Sequence, residues 1–435
     1  MVKSITLSEA YTVFRDLEDR VNNASKEYYH SRPLAAYTVQ TAQRVRPVSI
    51  GLRALLLLCA TTGNNVLLSG GTGCGKTHLA KMVQSGLVGD AYKVLQMDAS
   101  FSLDKLRDIA FQTVKDGGRL SEAVQESPLV TAPMVIIDEY NRAPDELRNM
   151  IQGWLQNGSL VFEGGREVYP GVAHQNGNGE SRYQWKIATL NEGALYGGAR
   201  KVDKASRDRL AVEIPLDVFP PTDEDRRNMR EKRSSGIGVH AGDVGALESL
   251  WQAMSAVSSL PLGGDADEFL LYLGRMGQCI KAPNKTKLEI ERFSPEYCKG
   301  CHHSARNSNL CGSVFAPSDR SLINLQSLAQ GFALYRGLQA EDDPEKLQVE
   351  LEDIMAAAPF LLYGKIDIHP GWVDAVAKGS KWQAVNAVLK LVYTSFKQYF
   401  QKNWEHLQQG TPESQKALQK YAADTDPWCM ELSRG

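Results

Sequence analysis

Asn65-Val-Leu-Leu-Ser-Gly-Gly-Thr-Gly-Cys-Gly-Lys-Thr-His78 decides the reading of this 435-residue chain. A short apolar strand, Val66 to Leu68, runs into Gly70-Gly71-Thr72-Gly73-Cys74-Gly75-Lys76-Thr77. The pattern Gly-x-x-x-x-Gly-Lys-Ser/Thr between a strand and a helix is a loop that cradles phosphates. Glycines let backbone amides approach a polyphosphate where a Cβ would intrude. The helix opening at His78 adds N-terminal amides and a favourable dipole. Lys76 is then expected on the β- and γ-phosphates, and the Thr77 hydroxyl on Mg²⁺.

Outward from this loop, strands and helices alternate. Residues 49–60 predict a buried helix, and Lys93 to Met97 a strand. Leu103 to Val114 and Leu120 to Gln125 predict helices, interrupted by Asp116-Gly-Gly118. Pro133-Met-Val-Ile-Ile-Asp-Glu139 is a continuous apolar run ending in two acids, the pattern of a parallel strand covered on both faces. Asp145 to Gln156 predicts a helix. Leu160 to Phe162 and Val168-Tyr169 predict a hairpin, Ala173 to Ser181 a polar mobile loop, and Trp185 to Leu190 and Leu210 to Pro215 two further strands. An α/β class with a mostly parallel sheet follows. On such sheets ligands bind at the carboxyl ends of strands. The phosphate loop, Asp138-Glu139 and Asn191 all fall at such ends.

Upstream, Ala10, Val13, Phe14, Leu17 and Val21 form a helical stripe within residues 8–30. Downstream of Pro220-Pro221, residues 222–278 and 318–408 carry helical periodicity, including Leu322, Leu325, Leu328, Ala329 and Phe332. The implied organisation is an N-terminal helical segment (1–45), a nucleotide-binding core (46–218), a helical lid (219–375) with a Cys-rich insertion at 279–315, and a helical extension (376–435).

Composition narrows the setting. Lys and Arg number 49 against 51 Asp and Glu, so any nucleic-acid contact would need a local patch. No apolar run approaches the ~20 residues that span a bilayer. The first residues lack a secretory apolar region, and seven cysteines in a chain this long do not make a secreted disulfide framework. A cytoplasmic, reducing setting is expected.

The acids carry the expected chemistry. Asp138 would hold Mg²⁺, and Glu139 would polarise the water that attacks the γ-phosphate. Asn191 could orient that water. Arg207 or Arg209, in Lys204-Ala-Ser-Arg-Asp-Arg-Leu210, could reach a neighbouring subunit's nucleotide and neutralise transition-state charge. In order and spacing, the phosphate loop, Ile137-Asp-Glu-Tyr-Asn-Arg-Ala-Pro144, Ala188-Thr-Leu-Asn191 and Asp208-Arg209-Leu210 resemble AAA+ ATPases. Asp-Glu-x-Asn-Arg-Ala-Pro resembles the MoxR family in particular, and Ala316-Pro-Ser-Asp-Arg-Ser-Leu322 its second-sensor segment. Tyr140 and Asp319 depart from the family pattern, and the resemblance covers roughly residues 45–370.

That resemblance implies an AAA+ P-loop core with an all-helical lid. It makes Asn191 the first sensor, Arg209 the arginine finger and Arg320 the second sensor. It implies that residues 103–120 and 159–183 project toward the pore of a hexameric ring. It further implies ATP hydrolysis to ADP and phosphate, remodelling of a protein partner, and a von Willebrand A-domain adaptor. The competing reading is a nucleic-acid motor or loader, resting on Arg226-Arg-Asn-Met-Arg-Glu-Lys-Arg233, Lys281, Lys285 and Lys287.

Cys298-Lys-Gly-Cys301, with Cys311 after it and Cys279 before, offers four thiolates for a structural Zn²⁺ site, with His302 or His303 as alternative ligands. An iron–sulfur cluster, a redox pair and four plain thiols remain alternatives.

Overall fold

The computed structural model describes residues 5–26, 28–40, 45–98, 127–161, 167–176, 179–191, 202, 204–231, 245–274, 317–340, 343–366, 368, 370–409, 411–413 and 416. By contact density they fall into two compact units, residues 1–261 with 330–347, and residues 262–329 with 348–435.

The first unit is built on five parallel strands. These are β3 (Val66–Gly70), β4 (Tyr92–Gln96), β5 (Met134–Asp138), β10 (Trp185–Asn191) and β11 (Val212–Pro215), in the spatial order β11-β3-β10-β5-β4. Every residue of β3, β5, β10 and β11 is buried, as continuous apolar strands demand when helices cover both faces. The register sets Asn191 beside Gly70 and Gln96 beside Asp138. The phosphate loop, the paired acids and Asn191 therefore share one edge, as expected.

Helices α1 (Leu7–Ala24), α2 (Leu52–Thr61), α3 (Lys76–Val88), α4 (Pro128–Thr131), α5 (Asp145–Asn157), α6 (Lys204–Arg209), α7 (Asp223–Glu231) and α8 (Gly245–Ser258) complete this unit. Helix α1 starts on a capping box. The Thr6 hydroxyl accepts from the Glu9 amide at 3.2 Å and the Glu9 carboxylate accepts from the Thr6 amide at 2.7 Å. Ala10, Phe14, Leu17 and Val21 of its stripe are buried, while Val13 is only half-buried. The helix lies against α3 so closely that a Cβ on Gly86 would meet the Arg20 carbonyl oxygen, Val21 Cα and Ala24 Cβ at 3.0 Å.

Two features differ from the sequence reading. Residues 35–40, inside the segment expected to be helical, and 45–50, whose last two residues were expected to open the next helix, form an antiparallel pair, β1 (Ala35–Gln40) with β2 (Val45–Ile50). Tyr37 with Val39, and Val48 with Ile50, carry the period of two, and Val39, Val48 and Ile50 are buried. Residues 173–181, read as a mobile loop, lie largely in a second antiparallel pair, β8 (Val172–Asn176) with β9 (Gly179–Tyr183). Their polar composition hid it. The hairpin β6 (Leu160–Val161) with β7 (Glu167–Val168) forms as expected. By contact density residues 222–261 group with the first unit, because α8 packs on α1 and α2.

The second unit is helical: α9 (Gly264–Gly274), the start of α10 (Asp319–Ala340), α11 (Leu351–Leu362), α12 (Pro370–Ala377) and α13 (Lys381–Gln409). Phe396 of α13 packs on Phe269 and Tyr272 of α9, with ring centroids 5.0 and 5.5 Å apart. Val385, Val388, Leu389 and Val392 are buried with it, so the predicted stripe is packing. Among the described residues, no helix is long and apolar enough to cross a membrane.

Candidate nucleotide-binding site

The site begins with conformation. Gly75 precedes α3 at φ +85°, in the left-handed region where a side chain is strained. A Cβ there would also lie 2.9 Å from Tyr28 Cε2. Tyr28 in turn donates to the Cys74 carbonyl at 3.3 Å, so a residue before β1 braces the loop. Burial pushes the Tyr28 phenol well up, which keeps it a donor. At the other end of the loop, the Gly71 amide donates to the Asp217 carboxylate at 2.8 Å. Lys76 is 6% exposed, and its ammonium donates to the carbonyls of Gly70 (2.9 Å) and Gly71 (2.7 Å). Replacement of Gly75 by Ala is expected to cost about 1–2 kcal/mol in the left-handed conformation alone. The loop would then shift off Tyr28, and titration with a fluorescent ATP analogue should show affinity reduced about tenfold or more.

The second motif joins the first through hydroxyls. Asp138, at the end of β5, is 5% exposed. Its Oδ1 accepts from Thr77 Oγ1 and from Thr189 Oγ1, each at 2.6 Å. The Glu139 amide donates to Thr189 Oγ1 at 2.9 Å. Glu139 itself sits at φ +55°, an outlier for a non-glycine residue. There its carboxylate accepts from Asn191 Nδ2 at 2.8 Å and pairs with Arg142 at 3.1 Å. Asn141 Nδ2 donates to the Asn191 carbonyl at 3.0 Å, tying the tips of β5 and β10 together. Thr77 and Asp138 thus present two hard oxygen ligands side by side beneath an anion-binding loop, a donor set that fits Mg²⁺.

Residues 65–210 match the family described as the AAA domain of the dynein-related subfamily. This chain carries an AAA+ domain. A solved structure shares the fold. The crystal structure of a candidate ATPase from Cytophaga hutchinsonii superposes with a TM-score of 0.57 at 17% identity, covering 88% of this chain and 96% of that one. Among sequence relatives, a ClpA-type ATP-binding subunit of Clp protease from Trieres chinensis is 26% identical over 163 residues. The chaperone ClpB of Bacillus cereus is 31% identical over 106 residues. These matches cover 35% and 23% of this chain, but only 18% and 12% of those two relatives' lengths.

The AAA+ arginine candidates separate. Arg207 pairs with Glu213 of β11, a carboxylate 1% exposed that also accepts from Ser69 Oγ at 3.0 Å. In the single chain Arg207 is therefore engaged inside its own domain. Arg209, half-buried, donates to Gln156 of α5 at 3.0 Å. Truncating Arg207 to Ala strands a buried carboxylate, so denaturant unfolding should show a loss of about 3–5 kcal/mol. Arg320 is half-buried near the start of α10, in the second unit.

Several site residues escaped the sequence reading: Tyr28, Arg142, Thr189 and Asp217. For Thr189 a signal existed, because the strand period of two puts it on the same face as Asn191. Tyr28 and Asp217 lie outside every motif and are brought in only by the fold. Residues 103–120 and the cysteines 279, 298, 301 and 311 lie outside the described residues, with the pore insert and the zinc site expected of them. Among the described residues no cluster suited to a metal of the His/Cys/Asp/Glu type occurs.

Proposed function

We propose that the chain is an ATP-hydrolysing motor of the MoxR type that remodels a protein partner as a ring, expected to be hexameric. The observation that carries this reading is the single polar chain Thr77–Asp138–Thr189–Glu139–Asn191 across the carboxyl ends of β3, β10 and β5. It supplies an ion-holding acid and, next to it, a carboxylate aimed by an amide. Those are the two groups that in-line attack of water on a γ-phosphate requires.

Lys76 and the amides of residues 73–77 bind and orient the triphosphate. Bound at Thr77 and Asp138, Mg²⁺ would neutralise charge on the β- and γ-phosphate oxygens. Glu139 takes the proton from the attacking water, and Asn191 holds the Glu139 carboxylate in place. Arg209, on a short helix ahead of β11, is assigned as the finger toward a neighbour's nucleotide, and Arg320 as the lid sensor. The Clp-named relatives support a protein substrate. A von Willebrand A-domain adaptor is expected with the MoxR type. Free thiols at Cys59 and Cys74 suit a cytoplasmic, reducing setting. Structural Zn²⁺ at Cys279, Cys298, Cys301 and Cys311 remains part of the proposal. The basic run at 226–233 carries less weight for nucleic acid, since Arg226 pairs with Asp223 at 3.1 Å on a solvated helix face.

The test is a mixing experiment. Arg209→Ala should bind ATP normally yet lose turnover by roughly 10³-fold or more. Added to wild type, it should poison the activity more steeply than dilution predicts. Strictly proportional activity in the mixtures would remove the ring and the finger together.

A further inference from the structure

The opposite edge of the same sheet holds a second cavity, of about 600 Å³. It lies beside the amino ends of β3 and β10, lined by Asn65 just before β3 and by Lys186, the second residue of β10. Lys186 is five residues before Asn191, so at ~3.3 Å per residue the cavity is roughly 16 Å from the nucleotide edge. Its volume is in the range of sites that enclose small organic ligands.

The lining is two-sided. Leu155, Tyr183 and Met254 give an apolar wall, whereas Arg182 and Lys186 give positive charge. No Asp or Glu is among the described residues that line it. Lys186 is 5% exposed, and its ammonium has one hydrogen bond, to the Gln184 carbonyl at 3.2 Å, and lies 5.0 Å from the centre of the Trp154 ring. No carboxylate pairs with it among the described residues. A buried cation without an anionic partner is expensive, and its desolvation is ordinarily relieved by neutralisation or by a bound anion. Burial accordingly pushes its amine down to about 7. Arg182 stands exposed at the mouth and spends one nitrogen on the Gly171 carbonyl, at 3.1 Å. Glu167, outside the cavity, accepts from Ser159 and Tyr169.

We propose that this cavity is a second ligand site, for a small organic carboxylate whose head meets Lys186 and Arg182 and whose apolar body lies on Tyr183, Leu155 and Met254. A monoanion matches one buried ammonium. A dianionic phosphate would bring a second charge into a site whose only other cation among the described residues is at the open rim. Nothing in the nucleotide chemistry uses Lys186, so the site is separable from ATP hydrolysis.

The experiment uses the full chain with saturating ATP analogue and Mg²⁺, so that the phosphate loop is filled. Phenylacetate is titrated by calorimetry, with 2-phenylethanol as the uncharged ligand of similar shape. Phenylacetate should bind at least tenfold more tightly than the alcohol, and Lys186→Met should abolish that preference while leaving nucleotide affinity unchanged. In wild type, trace acetylation mapped by peptide mass should reach Lys186, and phenylacetate, not 2-phenylethanol, should protect it. Equal binding of the two probes, no binding of either, or unaltered preference in Lys186→Met would overturn the assignment. So would acetylation of Lys186 that phenylacetate leaves unchanged, a reading that stands even if the variant fails to fold.

Discussion

Replacing Glu139 with Gln is expected to leave ATP binding within about threefold of wild type while turnover falls by roughly 10²–10⁴-fold, the usual contribution of a positioned general base. The amide has the shape of the carboxylate, and its oxygen can still accept from Asn191 Nδ2, which now donates at 2.8 Å. What disappears is the group that receives the water's proton. The ion pair with Arg142 disappears too, but Arg142 is 37% exposed and that loss is small. Phosphate release under steady state, set against equilibrium binding of a fluorescent ATP analogue, separates the two effects. Turnover within threefold of wild type would exclude Glu139 as the base, whatever happened to affinity. Loss of binding together with turnover would instead indicate that the left-handed backbone at this position had collapsed.

Lys76→Met should act one step earlier, at binding. The ammonium is nearly buried and rests on two carbonyls of its own loop, so it stands where a polyphosphate would arrive without needing to be recruited. Methionine keeps most of the stem and removes the charge. Affinity for Mg·ATP should fall about 100-fold or more, corresponding to ~2.7 kcal/mol. Thermal melting gives an independent reading. A ligand at 100 times its Kd stabilises the folded chain by ~2.7 kcal/mol, and that shift should vanish in the variant while its own melting without nucleotide stays close to wild type. A preserved ATP-dependent shift would show that the triphosphate binds elsewhere.

The nucleotide edge was legible because its residues are punctuation as well as chemistry. Gly70 to Thr77 and Asp138-Glu139 end strands and begin turns, so one stretch of letters fixes both place and role. The central strands were legible for a related reason: Val66 to Leu68 and Met134 to Ile137 are covered on both faces, and unbroken apolar runs leave little choice. The hairpins were harder. Residues 172–183 form a strand pair of mostly polar side chains, which gives pattern reading no apolar alternation to follow. Contacts made at long range were not legible at all. Asp217 reaching Gly71 and Arg207 turning inward to Glu213 depend on where β11 lands beside β3, and no local pattern encodes that. Lys186 looked like an ordinary strand residue until its burial was known.

The close seating of α1 on Gly86 has a practical consequence for anyone dissecting this chain. The family match begins at residue 65, yet the helix that carries the phosphate loop leans on residues 20–24, and the loop itself is steadied by Tyr28. A fragment cut at the family boundary would uncover an apolar flank of α3 and unsettle the cradle, so a minimal expressible nucleotide-binding unit has to begin ahead of Thr6.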